Sequence, residues 1–134
     1  MNVEELTPIL NVSNLEASFA WFAKLGWKKL WDHGDPPSFG AVGCGKCEIF
    51  LCHDGQGSRG GPMPRHVADR DTGGVWMSWF LKSLAEVDAA HALAVEQGIV
   101  VTRPPTDEPW GIREFHIRHP DGHTFRIGAG TGRE

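Results

Sequence analysis

Three groups of residues in this 134-residue chain have the types and spacing that could do chemistry. The first is Cys44-x2-Cys47-x4-Cys52-His53, three thiols and an imidazole within ten residues, the donor types that structural zinc takes. Such a site closes a tetrahedron, commonly with two ligand pairs from separated hairpins, whereas all four donors here crowd one predicted hairpin. Strand alternation also sends Cys47 and Cys52 to opposite faces. Plain hairpin thiols are the better reading, and reduced ones, because three cysteines cannot all pair within a chain and the acidic start MNVEEL is unlike a secretion signal. The second group, Gly55-x-Gly57-x-x-Gly60, has the spelling of a dinucleotide-binding loop, but that chemistry needs a helix N-terminus directly behind it. Pro62 and Pro64 follow instead, which makes the segment a connector. The third is His116, His119 and His123: His116 falls mid-strand, while His119 and His123 flank a Pro-Asp-Gly turn and are expected to be solvated. No nucleophile elbow or Ser/His/Asp arrangement is present.

Composition narrows the partners. A net charge of −4 offers no basic face for a phosphate backbone, so nucleic acid is not expected. No apolar run reaches the roughly 18 residues of a membrane span, so a membrane is not expected either, and the cytoplasm is the expected location. Six Trp and no Tyr supply wide flat faces for a core or for stacking a ligand.

The elements that must position these residues repeat. Residues 6–12 read as a strand, and Ser13 with Glu16 have capping-box spacing. Leu15, Phe19, Phe22 and Leu25 then form one helical stripe that Gly26 stops. Residues 27–33 are a short strand, and 38–43 with 47–53 a hairpin turning at Cys44-Gly45-Lys46. Residues 54–73 are rich in Gly, Pro and Asp without a period. The pattern restarts with a strand over 74–82, a second box at Ser83 and Glu86, and a helix burying Val87, Ala90, His91 or Ala94 and stopped by Gly98. A strand over 99–103, a loop from Pro104 to Gly111 and a closing hairpin over 113–128 complete it. The halves align at an offset of 72: Leu15 with Val87, Ala17 with Ala89, Gly26 with Gly98, Trp27 with Ile99. Repetition of one unit that cannot bury its sheet face alone implies two modules sharing a core.

At this point PILNVSNLEASFAWFAKLGW, EVDAAHALAVEQG and PWGIREFHIRHPDGHTFRI together resemble the vicinal oxygen chelate superfamily of glyoxalase I, bleomycin resistance proteins and extradiol dioxygenases, the closing hairpin being most similar to the bleomycin-resistance branch. The chain departs from the family where His119 stands in place of the usual Asp before Pro-Asp-Gly, and in a short insertion before the second helix. The resemblance implies an α+β fold of two βαβββ modules in an open, barrel-like mixed sheet, helices outside. They span residues 1–54 and 74–134 of one domain, with a connector over 55–73. It also implies four inward positions where the enzymes hold a divalent metal. Here they fall on Thr7, Glu48, a residue near Val75, and Arg126. One ligand in four beside a guanidinium does not hold a metal, so no metal and no cofactor are expected, and Arg126 is expected to pair with Glu48.

Strand alternation assigns Phe115, Ile117, Phe125, Ile127, Ile49 and Leu51 to the core. Glu48, Phe50, Glu114, His116, Thr124 and Arg126 go to the opposite face, with Thr7, Ile9 and Asn11 on its floor. Trp110 stands where resistance proteins present an aromatic residue, Trp76 or Trp79 joins it according to register, and Trp21, Trp27 and Trp31 are structural. With Asp107, Glu108, Glu48 and Glu114 near an aromatic slot, a flat heteroaromatic cation fits, although Arg113 and Arg126 weigh against the charge. The expected function is metal-free sequestration of a planar antibiotic of the bleomycin class by a homodimer, with no catalytic residue. The alternative is an enzyme of the same superfamily with an incomplete or absent metal site and Glu48 or His116 as general base.

Overall fold

Among the described residues ten regular elements follow one another: β1 (Ile9–Val12), α1 (Leu15–Lys24), β2 (Lys28–His33), β3 (Phe39–Cys44), β4 (Cys47–His53), β5 (Trp76–Phe80), α2 (Leu84–Glu96), β6 (Val100–Asp107), β7 (Ile112–Arg118) and β8 (Thr124–Gly130). The computed structural model describes residues 1–60 and 73–132, so Pro62, Pro64 and most of the predicted connector lie outside the described residues. Two compact units result, residues 1–59 and 60–134. Each has a four-stranded mixed sheet and one helix, and the strand orders β1-β4-β3-β2 and β5-β8-β7-β6 repeat one topology. The fold is α+β, built of two βαβββ modules.

Both helices begin where a short side chain can accept from a first-turn amide. In α1 that cap is Asn14, whose side chain accepts from the Ala17 N–H at 2.9 Å, so the expected Ser13 box is displaced by one residue. In α2 the expected residues do the work. Ser83 Oγ accepts from the Glu86 N–H at 3.2 Å, and Glu86 Oε2 accepts from the Lys82 N–H at 3.1 Å. Leu15, Phe19 and Phe22 of α1 are buried with Leu10, Val42, Ile49 and Leu51 of the first unit, and Val87 and Ala94 of α2 with Phe115, Ile117, Phe125 and Ile127 of the second. His91 sets its ring against Phe115 at 5.3 Å, an aromatic core contact.

Two expectations fail for reasons of backbone. The predicted loop from Pro104 is strand: β6 runs to Asp107 through Pro104 and Pro105. It lies at the edge of its sheet, where a residue without an N–H costs no ladder bond, and two register shifts absorb the prolines.

His119 and His123 are buried, not solvated, at 1% and 0% exposure. His123 Nδ1 accepts from the Val75 N–H at 3.0 Å, and His119 Nδ1 from the Asp121 N–H at 3.0 Å. The Gly60 N–H donates to the Asp121 carbonyl, and a Cβ on Gly122, whose φ is +85°, would stand 2.5 Å from Gly60 Cα. The chain entering the second unit thus covers the turn, a long-range contact that local sequence does not carry.

Burial, and then the neighbouring His123, push His119 down to about 4 from an ordinary value of 6.5. Between those values the unfolded chain binds the extra proton and the folded one does not, so stability falls as pH drops from about 6.5 towards 4. The urea midpoint is expected to decline between pH 7 and pH 4.5, and His119→Asn to flatten that slope. A wild-type midpoint constant over that range would overturn the assignment.

Candidate functional site

Alternation along β7 puts Phe115 and Ile117 under α2 and leaves Glu114 and His116 on the helix-free face of the second sheet. The antiparallel register sets Arg126 of β8 directly opposite His116, and Gly128 opposite Glu114. A Cβ on Gly128 would meet Ile112 Cγ2 at 2.8 Å and Glu114 Cβ at 3.0 Å. The bare glycine lets Arg126, the diagonal neighbour, bend across to Glu114. Its Nε donates to Glu114 Oε2 at 2.6 Å and its Nη2 to Oε1 at 2.8 Å.

The same carboxylate collects two more partners. His116 Nε2 lies 2.7 Å from Glu114 Oε2, and Trp110 Nε1–H donates to Oε1 at 3.1 Å. Trp110 reaches it from the Glu108-Pro109-Trp110-Gly111 turn between β6 and β7, closed by the Gly111 N–H donating to the Glu108 carbonyl, with Gly111 at φ +88°. A guanidinium, an imidazole and an indole are therefore oriented by one buried carboxylate. The Arg126 guanidinium, the first cause, with His116 and Trp110, holds the Glu114 carboxyl down to about 2 against the opposing effect of burial.

These groups border a cavity of about 640 Å³ lined by Trp76, Arg103, Glu108, Trp110, His116 and Arg126. Trp76 pairs with Thr124 in the parallel β5–β8 register and sets its edge on His116 at 6.0 Å. The register question is thereby answered: Trp76 shares the face of His116 and Arg126. Trp79, offered as a ligand residue, points to the core face and stacks on Phe125 at 4.5 Å. Glu48 and Phe50 belong to the first unit, where Phe50 meets Trp31 and Phe39, each at 5.5 Å. Trp31 packs in this cluster, stacked on Phe39, and is 40% exposed. A register shift between Lys29 and Trp31 takes it out of regular alternation.

The electrostatics differ from the expected acidic slot. Glu108 Oε1 accepts from Arg103 Nε at 2.9 Å, Asp107 Oδ1 from Arg113 Nε at 2.6 Å, and Glu114 receives Arg126. Arg126 thus finds its carboxylate on the adjacent strand of its own sheet, not in Glu48. Arg103 is a cavity residue that the sequence does not flag, because it ends a predicted strand and Pro104 onward reads as loop.

The family enzymes' metal does not fit this donor set. The face of β5 beside Arg126 carries Trp76, Ser78 and Phe80, and β8 contributes a guanidinium. Both oxygens of Glu114 already serve as acceptors. Among the described residues no three His, Cys, Asp or Glu side chains gather at metal-binding distance.

The family description "Glyoxalase/Bleomycin resistance protein/Dioxygenase superfamily" matches residues 5–127. No curated protein matches by sequence. Among solved structures, a glyoxalase/bleomycin resistance protein/dioxygenase from Nocardioides is similar over 99% of this chain and 89% of that one, at 20% identity and TM-score 0.72. A lactoylglutathione lyase from Agrobacterium tumefaciens is similar over 97% and 96%, at 22% identity and TM-score 0.72. A bleomycin-binding protein complexed with bleomycin is similar over 96% and 99%, at 15% identity and TM-score 0.68. At these identities the likeness is one of fold.

Removing the charge of Glu114 is expected to loosen all three partners. Glu114→Gln should lower urea-unfolding stability by about 1–3 kcal/mol at pH 7. The folded carboxyl stays ionised down to about 2, so its contribution is present above pH 4.5 and lost as pH falls towards 2. The gap between wild type and variant should therefore narrow below pH 4.5. A gap unchanged from pH 6 to pH 3 would remove the carboxylate's charge from the account.

Proposed function

The chain belongs to the glyoxalase/bleomycin resistance protein/dioxygenase superfamily, and from that premise we propose that it binds and sequesters a planar, antibiotic-like small molecule without transforming it. The observation that carries the reading is a pair of indoles at one cavity: Trp76 and Trp110 are 36% and 58% exposed there. Two exposed indoles at one cavity gain by leaving water together, and a flat molecule covers their faces most completely. The Trp110 ring is also held by the bond to Glu114, so a ligand stacking on it meets a preorganised face. Cytoplasmic action as a homodimer completes the proposal.

A second reading, an enzyme acting on a small metabolite without the family's usual metal, draws on the His116–Glu114 pair, in which a carboxylate orients an imidazole at a cavity as in a general base. His116 is only 8% exposed, which favours a positioned wall residue over a base that reaches substrate.

Titration with bleomycin and other planar antibiotics, followed by Trp fluorescence, should find a compound that quenches and saturates. Trp110→Ala should weaken that binding at least tenfold, and cells expressing the protein should survive the compound that binds. A panel without any saturating quench would sink the reading. A further check separates it from the enzyme: dialysed protein is expected to carry less than one equivalent of transition metal and to show no lactoylglutathione lyase turnover. Full metal occupancy with turnover would favour the second reading.

A further inference from the structure

Resting on the reading of this cavity as a binding site for a planar molecule, we infer that its ligand carries an acidic or strongly hydrogen-bond-accepting group, not a cationic one. Two guanidiniums and one carboxylate, Glu108, line the cavity, and each guanidinium is clamped by a carboxylate, Arg103 by Glu108 and Arg126 by Glu114. What a ligand meets depends on which member of each pair faces the space. The Arg103 side chain is 38% exposed and its partner Glu108 6%. The Arg126 side chain is 37% exposed and its partner Glu114 2%. Formal charge is balanced, yet both cations are presented and both anions are withdrawn.

Distance and desolvation both favour the exposed member. An incoming group meets mostly guanidinium surface, because Glu108 reaches the cavity wall with little of its side chain and Glu114 with almost none, and a charge–charge term falls with separation. A ligand ammonium would face two cations, Glu114 being already saturated by donors and Glu108 engaged by Arg103. A carboxylate or similar acceptor meets planar donors matched to its own geometry. The indoles supply the flat contact and the arginines the polar one. Arg126 also lies over the Trp110 ring, 5.8 Å from its centroid, so the aromatic and the acidic part of one ligand are addressed by adjoining groups. Of the expected acidic slot of Asp107, Glu108, Glu48 and Glu114, the three carboxylates of the second unit are each taken by an arginine, which reverses the expectation there.

Three probes of one shape test this by calorimetry on the full chain at pH 7: 2-naphthoate, neutral 2-naphthamide and protonated 2-naphthylmethylamine. The expected order of affinity is carboxylate, amide, ammonium, with the first two separated by about tenfold. The double variant Arg103→Gln/Glu108→Gln removes one clamp without stranding a buried charge, and should bring the carboxylate-to-amide ratio towards one. Binding of the ammonium as tightly as the carboxylate, or a ratio unmoved in the double variant, overturns the inference while leaving the planar-ligand reading intact. If none of the three binds, the cavity reading falls and the inference with it.

Discussion

A carboxylate taken out of water must be met by donors on nearly every lone pair, and the second unit is arranged around that requirement at Glu114. Its four acceptor positions are filled by two N–H groups of Arg126, by His116 and by Trp110. Each partner comes from a different stretch: the same strand, the adjacent strand and the turn that begins the hairpin. Fixing one residue therefore fixes three side chains, and the rigidity of the cavity wall follows from desolvation chemistry. Gly128 belongs to the same constraint, since a side chain opposite Glu114 would press on Glu114 Cβ itself and on Ile112.

What the amino-acid order reveals about this architecture divides along physical lines. Period-2 alternation places Phe115, Ile117, Phe125 and Ile127 under α2, because alternation is a local property of extended chain and the helix makes one face apolar. The repeated module is readable for the same reason: two helices with cap and glycine stop, each between strands. Glu114, His116, Trp110 and Arg126 are legible as residues of one face. Their mutual bonds are not, because the Arg126–Glu114 pair is diagonal and depends on Gly128. Nearness in sequence suggested a slot of negative charge, whereas pairing across β6, β7 and β8 cancels it.

The other misreadings share a cause. Trp31 stays 40% exposed beside a register shift in β2 that breaks the alternation. Pro104 and Pro105 suggest a loop, but edge position makes them tolerable in β6 and brings Arg103 to the cavity. His119 and His123 flank a turn, and turns are usually wet. Here Gly60 and Val75 close over it and accept or donate at its polar groups. Bulges, edge strands and distant covering segments are tertiary facts that a local pattern does not encode.

The scaffold explains how one face can host either a metal or its opposite. A strand presents every second side chain to that face whatever its chemistry, so the backbone is indifferent to the choice. Chemistry then makes the choice hard to reverse in single steps. Replacing Arg126 with a carboxylate would set it on the diagonal to the buried Glu114 with no guanidinium between them, and close like charges oppose each other's ionisation. Removing Glu114 alone leaves a guanidinium, an imidazole and an indole without their common acceptor. The clamp of Arg126 on Glu114 thus protects itself: each member makes the other costly to change. The face it organises stays a set of planar donors and aromatic surfaces, suited to holding a flat molecule.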